Sequence, residues 1–166
     1  MKKWFFITAI TIAVFTSCTK TSNTDCTIAA PTAVAADSQK VYLQNYLAAN
    51  NITNATEKNG MFYVINTQGT GVSPNICSSI GLTYIGNLIN GTTDGAVFDS
   101  STPGSVSQFT LSSLITGWQT VLPLVKAGGT VTLYIPPALG YGANAQGSSI
   151  PANSYLKFRI SLLGVY

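Results

Sequence analysis

The strongest constraint on this chain is an alternation with a period of two that recurs through the segments beyond Gly60. In the last segment Leu156, Phe158, Ile160 and Leu162 alternate with Tyr155, Lys157, Arg159 and Ser161. An earlier one sets Val131, Leu133 and Ile135 against Thr130, Thr132 and Tyr134. Ile80, Leu82 and Tyr84 share one face in the same way. Phe62 to Asn66 is β-branched and aromatic, and Gly69-Thr70-Gly71 with Pro74 punctuates its end. Successive side chains of a strand leave opposite faces, so the pattern predicts antiparallel strands with one buried face. After Gly60 only Thr116 to Leu122 reads as a helix, closed by Pro123. The expected class is α+β, a sheet covered by one short helix.

Before Gly60 the pattern changes. Tyr42, Leu43, Tyr46 and Leu47 recur at helical spacing between Asp37 and Ala49, with Asp37 or Ser38 as the expected cap. A helix of about three turns is too short to stand alone and is expected to pack against the main domain rather than serve as a dimerisation arm. Asn50 to Gly60 reads as a connection, and Thr19 to about Pro31, rich in Thr, Ser, Asn and Ala, as a tether. Lys2 and Lys3 precede an apolar run from Trp4 to Phe15 that is too short to span a bilayer, which is the pattern of a signal peptide. Phe15-Thr16-Ser17-Cys18 resembles a bacterial lipobox, although Phe15 stands where Leu or Val is usual. That resemblance implies acylation of Cys18 and a lipid anchor in the cell envelope. The alternative is an ordinary signal peptide with Cys18 incidental. The expected organisation is a leader over 1–17, a tether and short helix over 18–59, and one domain over 60–166.

Composition removes several functions. The chain is 46% hydrophobic, enough for a core, and carries eight basic and five acidic residues, with Lys2 and Lys3 among the former. So weak and scattered a charge gives no footprint for nucleic acid or an anionic membrane surface. Cys26 and Cys77 form an even pair that an oxidising compartment would join as a disulfide; two free thiols are the alternative. There is no histidine and no Cys-x-x-Cys spacing, so no metal, redox motif or cofactor is expected, and no Ser-His or Cys-His nucleophile exists. The only carboxylates after Gly60 are Asp94 and Asp99, and Asp94 lies in a Gly- and Thr-rich stretch that reads as a solvated turn. Gly140-Tyr141-Gly142-Ala143-Asn144-Ala145 imitates a dinucleotide fingerprint. No helical pattern follows it, and no acidic residue lies about 20 positions on.

In order along the chain come Tyr84-Ile85-Gly86, Phe98-Asp99-Ser100-Ser101, Phe109-Thr110-Leu111, Leu114-Ile115-Thr116-Gly117-Trp118, Ile135-Pro136-Pro137, Tyr141-Gly142, Ile150-Pro151 and Leu156-Lys157-Phe158. Each fragment alone is weak. Together, from about Gly60 to Tyr166, they resemble the FKBP family of peptidyl-prolyl isomerases. The resemblance implies a twisted antiparallel sheet wrapped around a short helix, with a pocket between them for proline-containing polypeptide segments. It places Trp118 at the pocket floor, Tyr84, Phe98, Phe109 and Phe158 in its walls, Leu114 and Ile115 at its rim, and Tyr141 with Ile150 in a lid-like loop. Tyr141 would donate its hydroxyl to a substrate carbonyl, and Asp99 would accept from the Tyr84 hydroxyl. Taken singly, each aromatic could equally be core, and Asp99 a cap over Ser100 and Ser101. The chain departs from the family in three places. Thr102 to Ser107 lacks the arginine that many members pair with the aspartate. Gln146 stands where some have histidine, and Asn90 to Gly95 is an insertion, read as a longer hairpin turn near the pocket edge. A monomeric isomerase of exported proteins is expected, with a weakly catalytic or non-catalytic chaperone lipoprotein of the same fold as the alternative.

Overall fold

The alternating segments form strands in the structure, a computed structural model that describes residues 26–166. The expected leader, Cys18 and the first part of the tether lie outside the described residues. The elements run α1 (Asp37–Ala49), β1 (Thr56–Lys58), β2 (Met61–Thr67), β3 (Ser79–Asn90), β4 (Thr93–Ser100), β5 (Ser107–Thr110), α2 (Thr116–Val121), β6 (Gly129–Ile135) and β7 (Tyr155–Val165). All pairings are antiparallel, in the order β1-β2-β6-β7-β3-β4, with β5 also on β3. The fold is therefore the expected α+β class: an open sheet of seven strands, one short helix against it, and a helix preceding it.

The two helices lie on opposite faces of the sheet. On one, Trp118, Val121 and Leu122 pack with Ile80, Leu82, Leu133, Ile135, Leu156 and Ile160, the residues whose alternation defined the buried face. On the other, Leu43, Tyr46 and Leu47 of α1 meet Phe62, Val64, Ile89 and Tyr134. This second contact overturns the expectation of one buried face. Tyr134 and Lys157 belong to the polar set of the alternation, yet both are buried, because α1 covers that side of β6 and β7.

Local differences have local causes. α1 begins after Ala36 with no side-chain cap; Asp37 instead pairs with Lys40 at 2.9 Å, one turn on. The expected connection Asn50 to Gly60 contains β1, which turns into β2 through Asn59-Gly60. Both residues have positive φ, 55° and 83°, as a two-residue hairpin requires, and Gly60 carries no Cβ to strain there. The expected domain boundary at Gly60 thus falls inside a hairpin turn. The helical path does not stop at Pro123 but tightens into a 3₁₀ turn, Leu122–Leu124, in which proline occupies an early position and loses no needed N–H bond.

The insertion Asn90 to Gly95 is not a longer turn, and it is not at the pocket edge. Asn90 pairs with Thr93, so the turn is short and β3 and β4 are extended instead. The extension docks on α1: Asn50 Nδ2 donates to the Thr92 carbonyl at 2.9 Å and the Gly91 N–H to the Tyr42 hydroxyl at 2.6 Å. Asp94 is accordingly no solvated turn residue. It receives the Tyr46 hydroxyl at 2.5 Å and Lys157 Nζ at 2.7 and 3.0 Å on its two oxygens. The Cys26 and Cys77 sulfurs stand at bonding distance, 1.97 Å, with Cα atoms 5.7 Å apart. Among the described residues no helix is long and apolar enough to cross a membrane.

Candidate functional site

Four strands and α2 converge on one aromatic cluster. Alternation places Tyr84 of β3 and Phe158 of β7 on the α2 face, and the Trp118 ring, set by the first turn of α2, meets both edge-on. Its centroid lies 5.5 Å from Tyr84 and 5.0 Å from Phe158, at interplanar angles of 79° and 88°. Edge-to-face contacts of this kind hold rings in fixed orientation. Trp118 is 4% exposed and Phe158 3%, and the Trp118 Nε1 hydrogen has no partner among the described residues. Phe109 of β5 lies 6.3 Å from Tyr84.

A break in register positions the next pair. β3 and β4 align Gly86 with Asp99 and then Asn87 with Val97, so Phe98 is the extra residue of a bulge. Strict alternation would send Phe98 and Asp99 to opposite faces, whereas here both serve this one. Phe98 packs edge-on against Phe158 at 5.4 Å. That contact crosses the β3 backbone at Gly86, where a Cβ would come within 2.6 Å of Phe98 and 2.8 Å of Phe158. Asp99 Oδ2 accepts the Tyr84 hydroxyl at 2.6 Å, and its Oδ1 accepts the Ser100 N–H at 2.9 Å. Asp99 thus has the tyrosine partner foreseen for it, while of the cap foreseen over Ser100 and Ser101 only the Ser100 bond forms; the Ser101 N–H donates to the Tyr84 carbonyl.

Between these rings and the segment before α2 lies a cavity of about 190 Å³, lined by Tyr84, Asp99, Phe109, Ser113, Leu114, Ile115, Trp118, Tyr141 and Phe158. Eight of the ten residues named for the pocket from sequence line it. Phe98 does not; it stands behind Phe158 as a brace. Ile150 does not line it either: it is 7% exposed and packs into the core, and its loop is closed on itself by two backbone bonds with Gln146. Ser113, in the 3₁₀ turn Leu111–Ser113, is the lining residue that sequence reasoning missed, since nothing in its neighbourhood marks one serine of several as facing a cavity.

Electrostatically the cavity holds hydroxyls and one carboxylate. Burial pushes the Tyr84 hydroxyl well above its ordinary range, and its bond to Asp99 pushes it further. Burial and the charge of Asp99 likewise raise Tyr141. Both remain protonated donors at neutral pH. Tyr84 is committed to Asp99, whereas no hydrogen bond from another described side chain engages Tyr141. Ile115, which also lines the cavity, has a backbone N–H with no backbone partner among the described residues. A larger open groove of about 680 Å³ lies on the reverse face, where Thr132, Arg159 and Ser161 contribute a polar floor without the aromatic box.

An aromatic box with hydroxyl groups in its lining, set between an antiparallel sheet and one short helix, defines a class of fold in which a pocket lies between sheet and helix. This chain belongs to the FKBP-type peptidyl-prolyl cis-trans isomerase family, whose sequence pattern matches residues 72–163, more than half of its length. A probable FKBP-type peptidyl-prolyl cis-trans isomerase of Haemophilus influenzae is 40% identical over 111 residues, 66% of this chain and 44% of that one. A protein of Legionella longbeachae named outer membrane protein MIP is 37% identical over 107 residues, 64% of this chain and 44% of the relative. This chain thus spans less than half the length of these two relatives. A crystal structure of a peptidyl-prolyl cis-trans isomerase from Pseudomonas syringae superposes with a TM-score of 0.65 at 27% identity, covering 81% of this chain and 98% of the other.

Proposed function

We propose that this chain catalyses cis-trans isomerisation of X-Pro bonds, with the proline ring seated over Trp118 between Tyr84, Phe109 and Phe158. The observation that carries the reading is the cavity itself: an aromatic box with a free Tyr141 hydroxyl at its rim. Rotation about an X-Pro amide passes a barrier of roughly 18–20 kcal/mol, much of it lost resonance. The twisted amide is less dipolar than the planar one, so a site that strips water from it disfavours the planar state more. Donors that hold the flanking carbonyls orient the chain without stabilising the planar amide, which leaves binding energy for the transition state. Tyr141 and the Ile115 N–H serve this role. Asp99 fixes the Tyr84 ring and presents its remaining lone pairs to the cavity.

No step needs a nucleophile, a metal or a cofactor, in keeping with a chain that has no histidine. Phe98 supports the site through Phe158, and Ile150 supports it from the core. The isomerase unit spans about 60–166 together with the β1 hairpin that precedes it. We further propose that the protein is exported and held in the bacterial envelope by acylated Cys18, after removal of residues 1–17, with Cys26 and Cys77 oxidised. The Lys2-Lys3 and apolar run supports this, as does the name of the Legionella relative. A Cys18→Ser variant is expected to lose fatty-acid labelling and leave the membrane fraction; unchanged labelling refutes the anchor. Non-reducing mass spectrometry showing free thiols at both Cys26 and Cys77 refutes their bond. A protease-free assay on a short X-Pro peptide tests the activity: catalysis is expected at micromolar protein, and a rate equal to the uncatalysed one refutes it.

A further inference from the structure

The cavity rim carries a carboxylate that no cation among the described residues pairs with. Asp99 is solvent-exposed, and each of its oxygens accepts one hydrogen bond from a neutral donor, Tyr84 or the Ser100 N–H. An ionised carboxylate has about four acceptor sites, so roughly half its capacity is open. Every other residue lining the cavity is neutral.

The described cations all stand elsewhere. Lys157 and Arg159 flank Phe158 in β7 and therefore leave the strand on the opposite face; Lys157 is engaged with Asp94, and Arg159 borders the reverse groove. Lys40 pairs with Asp37 on α1. Lys58 lies on β1, at the far edge of the sheet from β4, and Lys126 precedes β6 with its backbone on Gln68. From Ser100 to Val125, the stretch that borders the cavity, there is no basic residue.

We infer that Asp99 selects substrates, favouring polypeptides with lysine or arginine immediately before or after the proline over those with an acidic residue there. The inference rests on the isomerase reading for the seat of the proline ring, which brings the flanking side chains to the rim. A partly exposed pair is screened, so the effect is modest: roughly fivefold between a lysine and a glutamate peptide.

Two peptide series test it on the full chain, one varying the residue before proline and one the residue after, each with Lys, Gln and Glu. In at least one series kcat/KM should fall in the order Lys, Gln, Glu. The spread should shrink in about 1 M salt and collapse towards unity in Asp99→Asn. Titration calorimetry of the same peptides reads the preference without turnover. A chain that binds the lysine peptide more tightly yet isomerises none keeps this inference and refutes the activity. Peptides handled within twofold of one another in both series, by rate and by Kd, overturn it, as does a preference that persists in a folded Asp99→Asn variant or in high salt.

Discussion

Two tyrosine–aspartate pairs stand on opposite faces of one sheet, built from the same groups at nearly the same distance. Tyr46 donates to Asp94 at 2.5 Å and Tyr84 to Asp99 at 2.6 Å. They differ in a single cation. Lys157 Nζ reaches Asp94 at 2.7 Å and the Tyr46 oxygen at 3.2 Å, which closes the first pair into a neutral, interlocked cluster under α1. The second has no such partner among the described residues and borders a cavity. A carboxylate paired with a cation of the fold has its charge compensated and serves structure, whereas one without such a cation keeps capacity for a ligand. The residues that decide between these outcomes are chain neighbours: Lys157 and Phe158 leave β7 on opposite faces, one serving the latch and the other the pocket.

Substitutions on the pocket side should cost most. Phe158→Ala removes a buried ring touching Trp118, Tyr84 and Phe98, so a stability loss of about 3–5 kcal/mol is expected in urea denaturation, with isomerisation reduced by more than about tenfold. On the latch side, Asp94→Ala leaves Lys157, whose side chain is 8% exposed, without its counter-charge. The Asp94 side chain itself is 43% exposed, so the loss should fall below that of a wholly buried pair, about 2–4 kcal/mol, with the rate of the folded fraction within about twofold of wild type. Tyr141→Phe sharpens the contrast in the other direction: about tenfold in kcat/KM, some 1.4 kcal/mol, with stability unchanged within about 0.5 kcal/mol.

The smallest effect is one of pH. Burial pushes the Asp94 carboxyl up, but the hydrogen bonds from Lys157 and Tyr46 and the lysine charge outweigh it, so its net position lies below the ordinary 3.8. A carboxyl that binds its proton less readily when folded contributes stability that is whole above about pH 4 to 5 and lost as pH falls through the lower folded value. Wild type should therefore lose stability more steeply on acidification through this range than Asp94→Asn, as followed by thermal melts at stepped pH.

Much of the pocket was legible because it rests on alternation and on side chains of distinctive type. Tyr84 and Phe158 fall on the buried face by period alone, and the family resemblance carried by Asp99, Leu114 to Trp118 and Tyr141 supplied most of the rest. The latch was not legible. Lys157 reads as solvated in a strand pattern, Asp94 as a turn residue, and only the docking of α1, a contact between segments far apart in sequence, buries the lysine and pairs the two. Nor does a period of two reveal a bulge, so the braced position of Phe98 behind Phe158 emerged only from the strand register. β1 escaped because three polar residues, Thr56 to Lys58, carry no hydrophobic alternation; their strand is imposed by the Asn59-Gly60 turn and by pairing with β2.

The division of labour between the two faces is tested most directly by exchange NMR on an X-Pro peptide, comparing the cis-trans exchange rate with wild type, Asp94→Asn and Tyr141→Phe at a temperature where all three are folded. Exchange far above the uncatalysed rate is expected for wild type and Asp94→Asn alike, and about tenfold less for Tyr141→Phe. Uncatalysed exchange with folded wild type, or equal rates for Tyr141→Phe and wild type, would contradict that division of labour.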